Sequence, residues 1–255
     1  MALIQTLKGV SAPAGALFYG ESWPNIGSTS LYAAYMFGNG QKNADNVHHD
    51  YSFHGRRRTQ VGTPTLGSGF ATPDANNYYL TPFTDTELVA AGTPNEWTFC
   101  GVARGNGASN GSLFSAEHNA DLSGFRAWIS TAGTFSSHMY DVDGPTGSAN
   151  PTVAGTSGNW EFFAVSFSAT QVRSYRRKAS DGAMLTATAT PSPASVATSS
   201  KQFMIGRRTP NTSDAGGISI CTEAFYNRVM TAGEIDTIYA KIKAFVAAQS
   251  YAIAI

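Results

Sequence analysis

The sequence predicts an all-β chain, an antiparallel β-sandwich of the jelly-roll kind closed by one C-terminal amphipathic helix. Three observations carry this. Short runs rich in β-branched and aromatic residues recur along most of the 255 residues. Clusters of Gly, Asn, Asp, Ser and Pro separate them, and a helical period emerges clearly only near the C-terminus. No unit of roughly 20–50 residues repeats, which argues against a solenoid or a propeller.

Residues 1–30 carry few strand signals and hold Ser11-Ala12-Pro13-Ala14-Gly15 and Ser22-Trp23-Pro24-Asn25. They read either as an arm that orders on a partner or as an edge segment. The sandwich is expected over 31–248. Its candidate strands are Leu31–Phe37, Glu96–Arg104, Ser112–Ala116, Gly124–Ser130 and Thr134–Tyr140, followed by Asn159–Ser168, Gln171–Arg177, Ala183–Ala189, Gln202–Arg207 and Gly217–Tyr226. In Trp160–Phe167 both faces are mostly apolar, the mark of a central strand covered on both sides. Gly105-Asn106-Gly107, Asn110-Gly111, Asp143-Gly144-Pro145 and Asp181-Gly182 supply turn chemistry. Pro191–Ser200, rich in Ser, Ala and Thr, reads as a long surface loop.

The helix is expected over 232–248. Thr231 is its N-cap and Glu234 completes a capping box. Ile235, Ile238, Tyr239, Ile242, Phe245 and Val246 then share one face. The last residues, 249–255, form an apolar tail expected to dock on a neighbouring subunit.

Composition narrows the function classes. Seventeen basic and 17 acidic side chains cancel, and only 13% of the chain is charged. This argues against a broad nucleic-acid interface, which needs net positive charge facing phosphates. So few surface charges favour association, as in a subunit of a homo-oligomer. Cys100 and Cys221 are too few for a disulfide framework and lack metal-ligand spacing; each sits in an apolar, strand-like run and reads as a buried thiol, with a single bridge between them the alternative. No apolar run is long enough to span a membrane, and the N-terminus does not read as a signal peptide.

A family resemblance rests on residues in the second half. Trp160-Glu161-Phe162-Phe163-Ala164-Val165-Ser166-Phe167, followed by Val172-Arg173-Ser174-Tyr175, resembles a hairpin of concanavalin A-like lectin/glucanase domains, closest to their laminin-G-like and pentraxin-like branch. Phe203-Met204-Ile205-Gly206-Arg207 is similar to a following strand. Gly217 to Tyr226, then Asn227-Arg228-Val229-Met230-Thr231-Ala232-Gly233-Glu234-Ile235, resembles the family's closing strand and capped helix. Upstream, Tyr35-Met36-Phe37, Ala44-Asp45-Asn46 and Gly62-Thr63-Pro64 resemble its opening strand and loop. The basic Tyr175–Gly182 segment and the replacement of an acidic pair by Ser219 and Cys221-Thr222-Glu223 depart from the pattern.

The resemblance implies sugar and calcium chemistry, and each candidate has a plain counterpart. Trp23, Tyr51, Tyr78 and Tyr79 lie in loop-like contexts where an aromatic ring stacks on a sugar. Arg176 and Arg177 belong to one of three basic stretches, with Arg56-Arg57-Arg58 and Arg207-Arg208, that suit an anionic glycan. A solvated basic face explains the same residues. Trp97, Trp128 and Trp160 sit in strands and read as core packing. Asp141 and Asp143, with Asp121 and Asp214 in other loops, are calcium candidates; an Asp-Gly turn accounts equally for Asp143. His48-His49-Asp50 and His54 read as loop residues rather than a metal site. Glu234 and Asp236 do not make a working glycosidase pair, because on a helix they diverge by about 200°, whereas retaining hydrolysis needs carboxyl groups about 5–5.5 Å apart.

Low charge and a Gly/Ser/Thr/Ala-rich sandwich look like a structural protein of a tailed bacteriophage. The expectation is therefore a non-enzymatic virion component (tail, fibre or head decoration), made in the host cytoplasm. Its partners would be other virion subunits and a cell-surface glycan, with no nucleic acid, no membrane insertion and no cofactor beyond a calcium ion. The alternatives are a stand-alone lectin and a glycoside hydrolase.

Overall fold

The computed structural model describes residues 30–37, 50–52, 54–93, 95–117, 123–141, 144–178, 180–181, 183–191, 198–208, 216–248 and 253–255; at 140–141, 144–148 and 248 it describes the backbone alone. In chain order these form β1 (Leu31–Met36), β2 (Thr59–Val61), β3 (Thr65–Gly67), β4 (Phe70–Thr72) and β5 (Tyr78–Thr84). A short helix α1 (Asp85–Ala90) precedes β6 (Trp97–Gly105), β7 (Gly111–Glu117), β8 (Gly124–Ile129) and β9 (Phe135–Asp141). Then come β10 (Gly144–Ala149), β11 (Thr152–Val153), β12 (Glu161–Phe167), β13 (Val172–Arg177) and β14 (Leu185–Ala189). The chain closes with β15 (Gln202–Ile205), β16 (Ile218–Tyr226) and α2 (Ala232–Ala248).

The strands build two sheets. Sheet I runs β14-β13-β12-β6-β16-β4-β3, with β1 also on β16; sheet II runs β10-β9-β8-β7-β15-β5-β2, with β11 on β9. Aromatic side chains from both sheets fill the space between them. Trp97 lies flat on Phe167 at 4.5 Å and meets Phe125 edge-on at 5.0 Å. Phe114, Phe203 and Phe225 pack around it. Such offset and edge contacts each add about 0.5–1.5 kcal/mol beyond area burial.

Sheet I is covered on its other side too. Phe162, Ala164, Cys100, Val102, Ala224 and Tyr226 form a second apolar layer with Ile235, Ile238, Ile242 and Val246 of α2. The double-sided apolar pattern of β12 follows directly: Phe163, Val165 and Phe167 face sheet II while Phe162 and Ala164 face the helix. The helix begins at the expected box, where Glu234 Oε2 accepts the Thr231 N–H at 2.8 Å and Thr231 Oγ1 accepts the Glu234 N–H at 3.3 Å. Arg177 ties it to β13, lying 4.4 Å over the Tyr239 ring and 3.5 Å from Asp236.

Of the expected tail, residues 249–252 lie outside the described residues. Ile253 and Ile255 are buried in this same layer, against the chain's own apolar side chains rather than a neighbour's. Both thiols sit there as well, free and buried, as the spacing suggested. Burial pushes the Cys221 thiol up to about 12.

Seven elements fall outside the sequence expectation, β2, β3, β4, β5, β10, β11 and α1; β2, β3, β4 and β11 are only two or three residues long, too short for an alternation to register. Pro82 in Tyr78–Thr84 argues against a central strand, yet β5 lies between β15 and β2. The register slips between Gln202 and Met204, so the proline falls where ladder bonding is already interrupted. There the Thr81 hydroxyl accepts the Phe203 N–H at 3.1 Å in place of a backbone carbonyl. Helix α1 spans only 6 residues, too short for a period to register, although Thr84 and Glu87 form a second capping box. In the expected loop Pro191–Ser200, residues 192–197 lie outside the described set, while Ser199 is buried and donates from its N–H and hydroxyl to Asp85.

Candidate sugar-binding face of sheet II

Alternation along β7, β8 and β9 decides which side chains leave the core. Phe125, Ala127 and Ile129 point between the sheets, so Arg126 and Trp128 point outward. Phe135 and Met139 point in, so Ser136 and His138 point out. Register then sets neighbours across the face: Ser115 is opposite Arg126, and Arg126 is opposite His138.

These residues pack into one polar and aromatic cluster. The Arg126 guanidinium lies 4.1 Å over the Trp128 ring, and the His138 ring meets that indole edge-on at 4.4 Å. The chain turns at Gly206, where φ is +84° and a Cβ would strike Pro73. This turn sends Arg207 over the Tyr78 ring at 4.8 Å and brings Arg208 Nε to 3.1 Å from Glu117 Oε2. Ser115 donates to the same carboxylate oxygen at 3.1 Å.

Electrostatics follow from burial and from an excess of guanidinium groups. Burial raises the Glu117 carboxyl despite Arg208 and Arg126 beside it. Burial, with Arg126 as a further cause, pushes the His138 imidazole down to about 3, so this ring is neutral near pH 7. Among the described residues, three arginines thus accompany one carboxyl in this cluster. Trp128, Arg207 and Arg208 remain partly exposed. Such a face can stack on a sugar ring and pair with a carboxylate or another anion.

Of the residues singled out from sequence, Tyr78 and the Arg207-Arg208 stretch lie on this face, and the others fall elsewhere. Tyr78 is on this face, partly exposed. Tyr79 alternates with it and is fully buried between the sheets, so it is no stacking platform. Tyr51 is 4% exposed and packs in the layer beneath α2, where no sugar reaches it. Arg176 is held by Glu161, with Nε 2.9 Å from Oε2, and is only 3% exposed; its burial removes it as a glycan ligand. Arg177 serves the helix contact described above. Trp23 lies outside the described residues, as do His48, His49, Asp121, Asp143 and Asp214. Asp141 ends β9, paired with Gly144. Among the described residues no three His, Cys, Asp or Glu side chains gather as a metal site. Trp97 and Trp160 are buried as expected, whereas Trp128 is not core packing.

The first basic stretch and Asp50 have structural roles. Asp50 accepts the N–H groups of Ala34, Ser52 and Arg56 at 3.1, 2.9 and 2.8 Å. Arg58 is buried against the Phe37 and Tyr79 rings at 3.6 and 4.4 Å. Burial lowers its guanidinium to about 10. Nearby on β16, Glu223 is fully buried, and neither carboxylate oxygen finds a hydrogen-bond partner among the described residues. Burial raises that carboxyl well above the usual range, with Arg58 only partly opposing. The glycosidase pair is likewise excluded by its contacts: Glu234 closes the helix cap and accepts from Arg228 Nη1 at 3.1 Å, while Asp236 meets Arg177.

No family model and no curated protein matches the sequence. Solved structures do match in fold. A botulinum neurotoxin serotype D ligand-binding domain in complex with N-acetylneuraminic acid superposes with a TM-score of 0.61 at 9% identity, over 84% of this chain and 51% of that one. The serotype D binding domain gives 0.62 at 10% identity, over 84% and 52%. A structure of botulinum neurotoxin type C, whose cell entry depends on two ganglioside molecules, gives 0.60 at 11% identity, over 84% and 52%. The chain thus spans about half the length of the structures it matches. At this identity the likeness shows the fold: a concanavalin A-like β-sandwich of two antiparallel sheets with a C-terminal helix.

Proposed function

We propose that this chain is a non-enzymatic, lectin-like binding domain that takes an anionic glycan on the outward face of sheet II. The observation that carries the reading is the partly exposed Trp128 ring, braced by Arg126 at 4.1 Å and His138 at 4.4 Å. An indole fixed in this way offers a rigid platform, and Arg207 and Arg208 supply charge for a sugar carboxylate. The binding of N-acetylneuraminic acid and gangliosides by fold neighbours supports the ligand class. Those ligands belong to proteins about twice as long, so the Trp128 cluster is argued from its own residues.

The wider part of the proposal is that the domain belongs to a multi-subunit particle, the virion of a tailed bacteriophage. Its support is the low charge content and the Gly/Ser/Thr/Ala-rich composition. Mass spectrometry of purified particles tests that part alone.

The glycan reading is tested by titrating the full chain with a sialylated trisaccharide and its neutral counterpart. Saturable binding of the acidic sugar is expected, weakened at least tenfold by Trp128→Ala and by Arg208→Ala. Equal or absent binding of the two sugars sinks the reading.

A further inference from the structure

Sheet edges are where a β protein meets other chains, because an edge strand presents unpaired N–H and C=O groups. Strand β1, paired only with β16, is covered on its free side, where Asp50 accepts the Ala34 N–H and the Ala34 carbonyl accepts the Tyr51 N–H; three further edges are blunted. Strands β2 and β3 are 3 residues each. Strand β10 contains Pro145, and its register on β9 breaks between Gly144 and Ala149; β11 adds only 2 residues.

The β14 edge is left regular. Strand β14, Leu185-Thr186-Ala187-Thr188-Ala189, pairs with β13 from Val172↔Ala189 to Arg176↔Leu185 without a register shift. It carries no charge, no proline and no bulge, and Leu185 is 42% exposed. Among the described residues nothing hydrogen-bonds to its outer backbone edge.

We propose that β14 pairs antiparallel with β14 of a second copy of this chain about a two-fold axis at Ala187, joining two copies of sheet I into one sheet. The strand is self-complementary in that register. Leu185 falls opposite the partner's Ala189, which covers the exposed leucine. Thr186 falls opposite the partner's Thr188, a β-branched cross-strand pair of the kind that stabilises sheets. With no charge on the strand, the two-fold brings no like charges together, and an isologous contact closes at two copies. A 5-residue ribbon covers well under the ~1,600 Å² of a standard interface. The dimer therefore forms reversibly, at micromolar concentration and above.

Sedimentation velocity of the full chain, from low micromolar to several hundred micromolar, tests this. The native chain is expected to show a monomer–dimer equilibrium. Thr186→Glu with Thr188→Glu places like charges across the two-fold and should weaken association at least tenfold. Thr186→Lys with Thr188→Glu places opposite charges there and should restore it. Both positions are exposed, and far-UV circular dichroism checks that each variant is folded. A native chain that stays monomeric throughout overturns the proposal and leaves the edge for a strand of a different protein. A double-glutamate variant that associates like the native chain overturns it too, since the contact then lies elsewhere. Failure of the lysine–glutamate variant to recover association overturns the register.

Discussion

The two sheets have opposite outer faces. Sheet I turns Phe162, Ala164, Val102 and Ala224 toward α2, and helix and tail seal that face. Sheet II turns Arg126, Trp128, His138 and Glu117 away from the core. The difference teaches where to look for function. A face whose apolar side chains are covered by the chain itself is committed to stability. A face that retains charged and aromatic groups, partly open to solvent, has been left for something else.

Substitution can break this contrast. Ile242→Ala on the sealed face should cost about 2–5 kcal/mol, the usual cost of truncating a fully buried aliphatic residue, while leaving sugar binding unchanged. Trp128→Ala should do the reverse, abolishing binding at a cost of about 1 kcal/mol or less in stability. Urea unfolding alongside the sugar titration measures both; equal destabilisation by the two variants would erase the distinction.

A smaller effect concerns the inner face of sheet I, where Glu223 is a polar group in a sealed layer. Its carboxyl is raised by burial, so the native state holds a proton that the unfolded chain releases at the ordinary carboxylate value. That contribution is full below about pH 4.3 and declines as pH rises toward the native value, with a slope of up to about 1.4 kcal/mol per pH unit. Glu223→Gln should flatten the pH dependence of stability across that window, as read from unfolding midpoints. An unchanged slope would mean that the carboxylate finds compensation.

The smallest effect belongs to the start of α2. Arg228 and the cap hold the Glu234 carboxyl down at about 2. Its stabilisation is full above about pH 4.3 and is lost as pH falls through about 2. Glu234→Gln should cost about 0.5–1 kcal/mol at neutral pH, typical of a cap residue, and little at pH near 2. Thermal midpoints at the two pH values resolve it.

Most of the fold was legible because period and turn chemistry agree along the second half of the chain. Helix α2 occupies the residues expected, and β12 has the two apolar faces that its sequence shows. Strand β5 was hidden by Pro82, whose cost a local slip absorbs, and no sequence pattern announces that slip. The site was less legible for a different reason. Loop-like contexts point to Trp23, Tyr51, Tyr78 and Tyr79, yet Phe125-Arg126-Ala127-Trp128-Ile129 places Trp128 in phase with Arg126 rather than with the core. That alternation was the available signal. The pairing of Arg208 with Glu117 joins residues 91 positions apart, and only the turn at Gly206 brings them together.

Cys100 and Cys221 lie beneath α2, shut away from solvent and held in the unreactive thiol form. They give the molecule a chemical clock for one particular motion. A thiol reagent reaches them when the helical cover lifts from sheet I or the whole chain opens, whereas a ligand on the proposed face around Trp128, on the far side, would leave them shielded. Labelling rates therefore separate loss of the cover from occupancy of the proposed face, within a single unmodified protein.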